Sequence, residues 1–180
     1  MKTIALYGGS FDPPHLGHEA VVKALLDLQE IDKVLLMPTF LNPFKLGSFA
    51  PASLRLKWLR DIFVDFRDVI IDSFEVEKEV KVATIESVSY LLKSYDKVYL
   101  VIGADNLKSL HQWHKFEELS KKVTFIVASR DEILIPDEFL QLSIDKKISS
   151  SEFRKELSEE MLVRINAKEI VKYYKENNER

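Results

Sequence analysis

The chain has 180 residues, with 26 Lys plus Arg against 29 Asp plus Glu for a formal net charge of -3, and no cysteine. That length suits one domain spanning 1–180 with a core of its own; the mild acidity argues against a broad nucleic-acid surface, and the missing cysteines exclude a disulfide framework or a thiol nucleophile. Met1 to Tyr7 lacks a long apolar h-region and no apolar run reaches membrane-spanning length, so the expectation is a soluble cytoplasmic protein with a small ligand and no membrane partner.

In chain order, Lys2 to Tyr7 reads as a short buried strand, and Leu16 to Leu28 as a helix with Val21, Val22, Leu25, Leu26 and Leu28 at helical spacing. Lys33 to Met37 is a second strand stopped by Pro38, and Thr39 to Pro51 is a loop long enough to be a lid or binding segment. A helix over Pro51 to Phe63, a strand over Val69 to Ile71 and a helix over Val82 to Leu92 follow. Val98 to Ile102 and Val123 to Ala128 read as further strands, with broken helical character over Asp105 to Leu119 between them. From Ser149 to Arg180 the chain is rich in helix formers; Asn166 and Glu169 have capping-box spacing before a last helix, and Glu176 to Arg180 is expected to fray. The alternation predicts an α/β, Rossmann-like doubly wound, mostly parallel sheet with helices on both faces and a helical tail. Such sheets collect ligands outside the carboxyl ends of the strands. Neither GxGxxG nor GxxxxGK[ST] is present, which leaves a standard dehydrogenase or ATPase unsupported.

The run GGSFDPPHLGH, Gly8 to His18, joins the first strand to the first helix. A glycine turn at a helix N-terminus presents unpaired N–H groups and the positive end of the helix dipole, which suits a phosphate. His15 and His18 share one helix face beside Gly9 and Ser10. The glycines and Pro13-Pro14 also fit a mere turn, and two histidines could bind zinc, but no local Cys, Asp or Glu completes that set. Far down the chain, Ser149 and Glu152 fit a capping box, yet Ser149, Ser150 and Ser151 supply more hydroxyls than a cap uses. Arg154, one turn on, either directs its fork to the same place or pairs with Glu156 or Glu159 on the surface. Asp105, at a carboxyl strand end, reads as a helix N-cap or a ligand contact, and Trp113 as packing or as a stacking platform. Arg55 fits a solvated helix face equally well.

GGSFDPPHLGH is similar to the first signature of the nucleotidylyltransferase superfamily, with His15-Leu16-Gly17-His18 as its HxGH element, and ISSSEFR, Ile148 to Arg154, resembles the second. The closest resemblance, over nearly the whole chain, is to bacterial nicotinate-nucleotide adenylyltransferases. It implies adenylyl transfer from ATP to nicotinate mononucleotide, with deamido-NAD and pyrophosphate as products. His15, His18 and Arg154 would act on the triphosphate, and Gly8, Gly9, Ser10, Phe11, Gly103, Asp105, Ile148 and the three serines would bind ATP. Lys45, Arg55, Thr84, Asp105, Trp113 and His114 would meet the mononucleotide, although His114 stands where the family has a second aromatic and Phe44 where it commonly has histidine. Mg²⁺ would arrive with ATP, with no ligand from protein side chains. Phosphopantetheine and nicotinamide-mononucleotide adenylyltransferases are the enzyme alternatives, and a nucleotide sensor without catalysis is the other. Oligomeric state is left open.

Overall fold

Ile4, Ala5 and Leu6 are buried on both faces of the first strand, β1 (Thr3–Gly9), as a central parallel strand requires. The structure, a computed structural model, describes residues 1–129 and 134–177. Around β1 lie β2 (Lys33–Pro38), β3 (Val69–Ile71), β4 (Lys97–Gly103), β5 (Val123–Ser129) and β6 (Leu140–Ser143), in one sheet ordered β3-β2-β1-β4-β5-β6. Every neighbouring pair is parallel. The helices are α1 (Leu16–Leu26), α2 (Ala52–Ile62), α3 (Phe74–Lys78), α4 (Thr84–Leu91), α5 (Phe116–Lys122), α6 (Ser150–Glu156) and α7 (Ala167–Asn177), with 3-10 segments at Ala104–Gln112 and Glu159–Met161.

Because strand side chains alternate between faces, β1 feeds two cores. Ala5 packs with Val22 and Leu25 of α1 and Leu59 of α2 on one face, while Ile4 and Leu6 pack with Ile85 and Val88 of α4 and Leu119 of α5 on the other. A third cluster joins Trp58 of α2 to Phe153 of α6 and to Ile170 and Tyr174 of α7, so the tail docks on α2. The chain winds outward from β1 to β3, then crosses to β4 on the other side of β1. The carboxyl ends of β1 and β4 therefore flank the reversal point, where a doubly wound sheet opens a crevice.

The fold is the doubly wound α/β sheet expected, wholly parallel among the described strands, and three details differ. β6 and α3 are additional elements, and the helix expected over Val82 to Leu92 begins at Thr84. The capping-box pair of the last helix reaches elsewhere: Asn166 donates its amide to Trp58 O at 3.3 Å and Glu169 accepts from Trp58 Nε1 at 3.0 Å, tying α7 to α2. The helix continues through Asn177, and the rest of the segment expected to fray, 178–180, lies outside the described residues.

Candidate active site

Two histidines cap α1. His15 is the N-cap in extended conformation, and its Nδ1 accepts the Gly17 N–H at 3.1 Å, while Nδ1 of His18 accepts the His15 N–H at 3.1 Å. Imidazole thus does what Ser and Glu do in an ordinary capping box. With each Nδ1 accepting, the neutral rings carry their proton on Nε2. The rings stack with centroids 3.7 Å apart, and Phe11 braces His18 edge-on at 4.8 Å. Gly17 is needed for this approach: a Cβ there would lie 2.9 Å from the His15 ring and 3.2 Å from Ile148 O.

That second contact brings in the remote stretch. Ser149 caps α6 by accepting the Glu152 N–H at 3.1 Å, Ser150 Oγ donates to Pro13 O at 2.9 Å, and Ser151 Oγ accepts from Arg154 Nη2 at 3.2 Å. Arg154 Nη1 donates to Asp12 O at 2.6 Å, and its guanidinium lies 4.2 Å from the Phe49 ring centre. His15, His18, Lys45, Asp105, the three serines and Arg154 line one cavity of ≈ 390 Å³. Its described lining holds one carboxylate against these cationic and hydroxyl donors, the balance a polyphosphate needs.

A second cavity of ≈ 160 Å³ adjoins it, with Gly103 in both walls. Gly8 and Gly9 at the end of β1, Thr84 at the start of α4, Phe44 and Trp113 line it. Ala83 precedes α4 with no side-chain cap, so that helix start is open to an anion. Phe44 and Trp113 face each other with centroids 6.3 Å apart. Thr39 Oγ1 and Trp113 Nε1, both on residues of this wall, are buried without a hydrogen-bond partner among the described residues. Leaving such groups unpaired costs about 1–3 kcal/mol each, which a polar ligand would relieve. Glu75 is also in this wall, 6% exposed and accepting from Ser87 Oγ at 2.6 Å. Burial pushes its carboxyl up to about 7, with the Glu86 charge adding and the Ser87 bond opposing.

Two readings need correction, the solvated face of Arg55 and the N-cap of Asp105, and two further residues, Phe11 and His114, stand outside both cavity linings. Arg55 is no solvated helix face; it is fully buried and donates to Ala50 O at 3.0 Å, Ser10 O at 2.5 Å and Phe40 O at 3.0 Å, tying α2 to the histidine loop and to both ends of the segment between β2 and α2. Burial lowers its pKa, opposed by Asp12 and Tyr174. The Phe11 side chain is 2% exposed and supports His18 from within the core. His114 is exposed and outside both linings, because the 3-10 segment ends at Trp113 and turns it outward. Asp105 is not an N-cap: Gly103 holds that position, and a Cβ on it would strike Asp105 Oδ1 at 2.5 Å. Ile148 contributes its carbonyl beside Gly17. Lys45 reaches Ser10 Oγ at 3.3 Å.

Sequence reasoning missed Asp12, Tyr174, Glu75 and the pairing of Phe44 with Trp113. Asp12 is buried and accepts from Phe49 N at 2.7 Å, Ala50 N at 3.0 Å and the Tyr174 hydroxyl. Burial, then the Asp12 charge, pushes the Tyr174 phenol up. Only the aromatic content of the lid and the DPP turn hinted at any of these.

A parallel sheet with paired histidines at its reversal point and a serine-arginine helix opposite defines a nucleotide-handling α/β protein. The chain belongs to the cytidylyltransferase-like family, whose family model matches residues 6–156. It is 54% identical over 178 residues to a Sulfurimonas denitrificans protein named "Probable nicotinate-nucleotide adenylyltransferase", covering 99% of this chain and 98% of that one. A Campylobacter fetus protein of the same name is 45% identical over 179 residues, covering 98% and 99%. In fold it is similar to Plasmodium falciparum nicotinic acid mononucleotide adenylyltransferase complexed with NaAD, with a TM-score of 0.75 at 22% identity over 99% of this chain and 97% of that one. No helix among the described residues is long and apolar enough to cross a membrane.

Proposed function

We propose that this chain transfers the adenylyl group of ATP to nicotinate mononucleotide, forming deamido-NAD and pyrophosphate, a step of NAD biosynthesis. The observation that carries this reading is the single cavity lined by both remote motifs, His15 and His18 from one and Ser149 to Arg154 from the other. The triphosphate would lie there, and the pyridine in the adjoining cavity against Trp113, with its carboxylate at the start of α4 near Thr84.

The chemistry asks little of the protein beyond alignment and charge. A 5′-phosphate oxygen of the mononucleotide attacks the α-phosphorus of ATP in line, the bond to the bridging oxygen of the β-phosphate breaks, and pyrophosphate departs with that electron pair. No covalent enzyme intermediate is needed. Nε2–H of His15 and His18, the Arg154 guanidinium and the Lys45 ammonium are donors preset for the growing negative charge. Mg²⁺ belongs to this proposal as the counter-ion of the triphosphate. Among the described residues no three His, Asp or Glu side chains converge as a metal cage, and Mg²⁺ is satisfied by phosphate oxygens and water.

The test is pyrophosphate release on incubation with ATP, Mg²⁺ and, separately, nicotinate mononucleotide, nicotinamide mononucleotide or phosphopantetheine. Release that is greatest with nicotinate mononucleotide is expected. Release with phosphopantetheine alone would reassign the acceptor, and release with none would leave a nucleotide sensor.

A further inference from the structure

The cavity assigned to the pyridine carries a group that the reaction does not use. Among the described residues lining it, Glu75 is the one ionisable side chain. It projects from α3, is 6% exposed, and has the Ser87 hydroxyl at 2.6 Å as its partner. Among the described residues no cation offsets it in the cavity wall. On its own helix Lys78 stands over the Phe74 ring at 5.2 Å, and Glu77 is exposed and bonded to Ser73. Asp72, before α3, accepts from Phe74 N at 2.8 Å and from Tyr90. α4 brings Glu86, which is exposed; β2 brings Leu35 and Met37; the lid brings Asn42 and Phe44; and Lys81 donates to Pro43 O at 3.5 Å.

A carboxylic acid buried in a wall of apolar and neutral polar side chains, with the Glu86 charge on the adjacent helix, is stable as the neutral form, and its ionised form is costly. A substrate carboxylate entering the same small cavity compounds that cost, since two like charges sharing a site cannot both ionise freely. We propose that Glu75 sets the choice between an acidic and a neutral substituent on the pyridine: neutral, it admits the carboxylate, and ionised, it turns the cavity toward the amide. The inference rests on the adenylyl-transfer reading and adds to it a pH dependence of substrate preference. Burial places the Glu75 titration near neutrality, at about 7, so the change would fall across neutral pH.

The experiment measures kcat/KM for nicotinate mononucleotide and for nicotinamide mononucleotide from pH 5.5 to 8.5 and follows their ratio. Titration of the shared 5′-phosphate and of the histidines cancels in that ratio, leaving the pyridine substituent. For a single group titrating near 7, the ratio falls about tenfold between pH 6 and pH 8. Glu75→Gln, a neutral isostere, flattens the profile. Ser87→Ala removes the bond that favours the ionised form, so the inflection moves to higher pH; this second variant carries the test should the first not fold. A wild-type ratio constant across the range overturns the role of Glu75, as does a Glu75→Gln variant that keeps the wild-type inflection. No pyrophosphate release with either mononucleotide overturns the adenylyl-transfer reading itself, and the preference falls with it.

Discussion

His18 holds two posts, since Nδ1 caps the His15 N–H while the opposite edge of the ring borders the donor-rich cavity. Magnitudes separate them. Losing a cap costs about 1 kcal/mol, which lowers Tm by only about 2–4 °C in a domain of this size. Losing one preset donor to a developing oxyanion costs about 100- to 1,000-fold in kcat. His18→Ala should therefore remain folded by circular dichroism while pyrophosphate release falls at least 100-fold; near-normal turnover in the folded variant would remove His18 from the chemistry. Trp113 offers a different signature. If its indole stacks on the pyridine, Trp113→Ala forfeits about 1–3 kcal/mol of base stacking, so KM for the mononucleotide should rise about tenfold or more with KM for ATP nearly constant. Equal rises in both would place the indole elsewhere. The sequence pattern revealed the residues whose chemistry is local, the HxGH pair and the serine run, because cap and site share one helix start. It could not reveal Glu75 or Phe44, whose meaning depends on which residues the fold sets opposite them.

Among the elements, α7 does more than close the core. Its Tyr174 donates to Asp12, whose carboxylate also accepts the N–H groups of Phe49 and Ala50 at the end of the lid and whose carbonyl accepts from Arg154. One aspartate thus ties the histidine loop, the lid, the serine-arginine helix and the last helix. Removing a donor from a buried carboxylate leaves part of its desolvation uncompensated, at about 1–3 kcal/mol. Tyr174→Phe keeps the ring that packs on Trp58 and Phe153, so its loss should be that bond alone: a lower midpoint in urea with an unchanged m-value. A midpoint equal to wild type would mean that Asp12 does not depend on α7. This tie was illegible in the sequence, where the DPP turn gave no sign of a partner 162 positions away. The elements themselves were legible where burial runs along a strand, as in β1, β2 and β4. β6 escaped because Leu142 is its only buried residue, and α3 because five residues are too few to display a helical period.

For the molecule as a whole, Glu75 couples stability to pH in a direction opposite to most acidic groups. An unfolded chain releases this proton near 4.5, whereas the folded chain holds it up to about 7. Between those values the native state binds the extra proton, so stability must fall as pH rises through that window, and the loss is complete above 7. A rise from 4.5 to about 7 corresponds to about 3 kcal/mol, enough to move Tm by about 6–12 °C in a domain of 150–250 residues. All other titrating groups contribute as well, so the wild-type curve alone does not isolate this one. Comparison with Glu75→Gln does, because glutamine mimics the neutral acid and every other group is common to both chains. At pH 5 the variant should melt only slightly higher, because little of the loss has yet accrued; at pH 8 it should melt several degrees higher. The measurement needs neither ATP nor mononucleotide, so it probes the buried carboxyl apart from any reaction. A stability gap of equal size at both pH values would mean that Glu75 is ionised in the folded chain throughout, and a wall that is always charged could not switch its preference with pH.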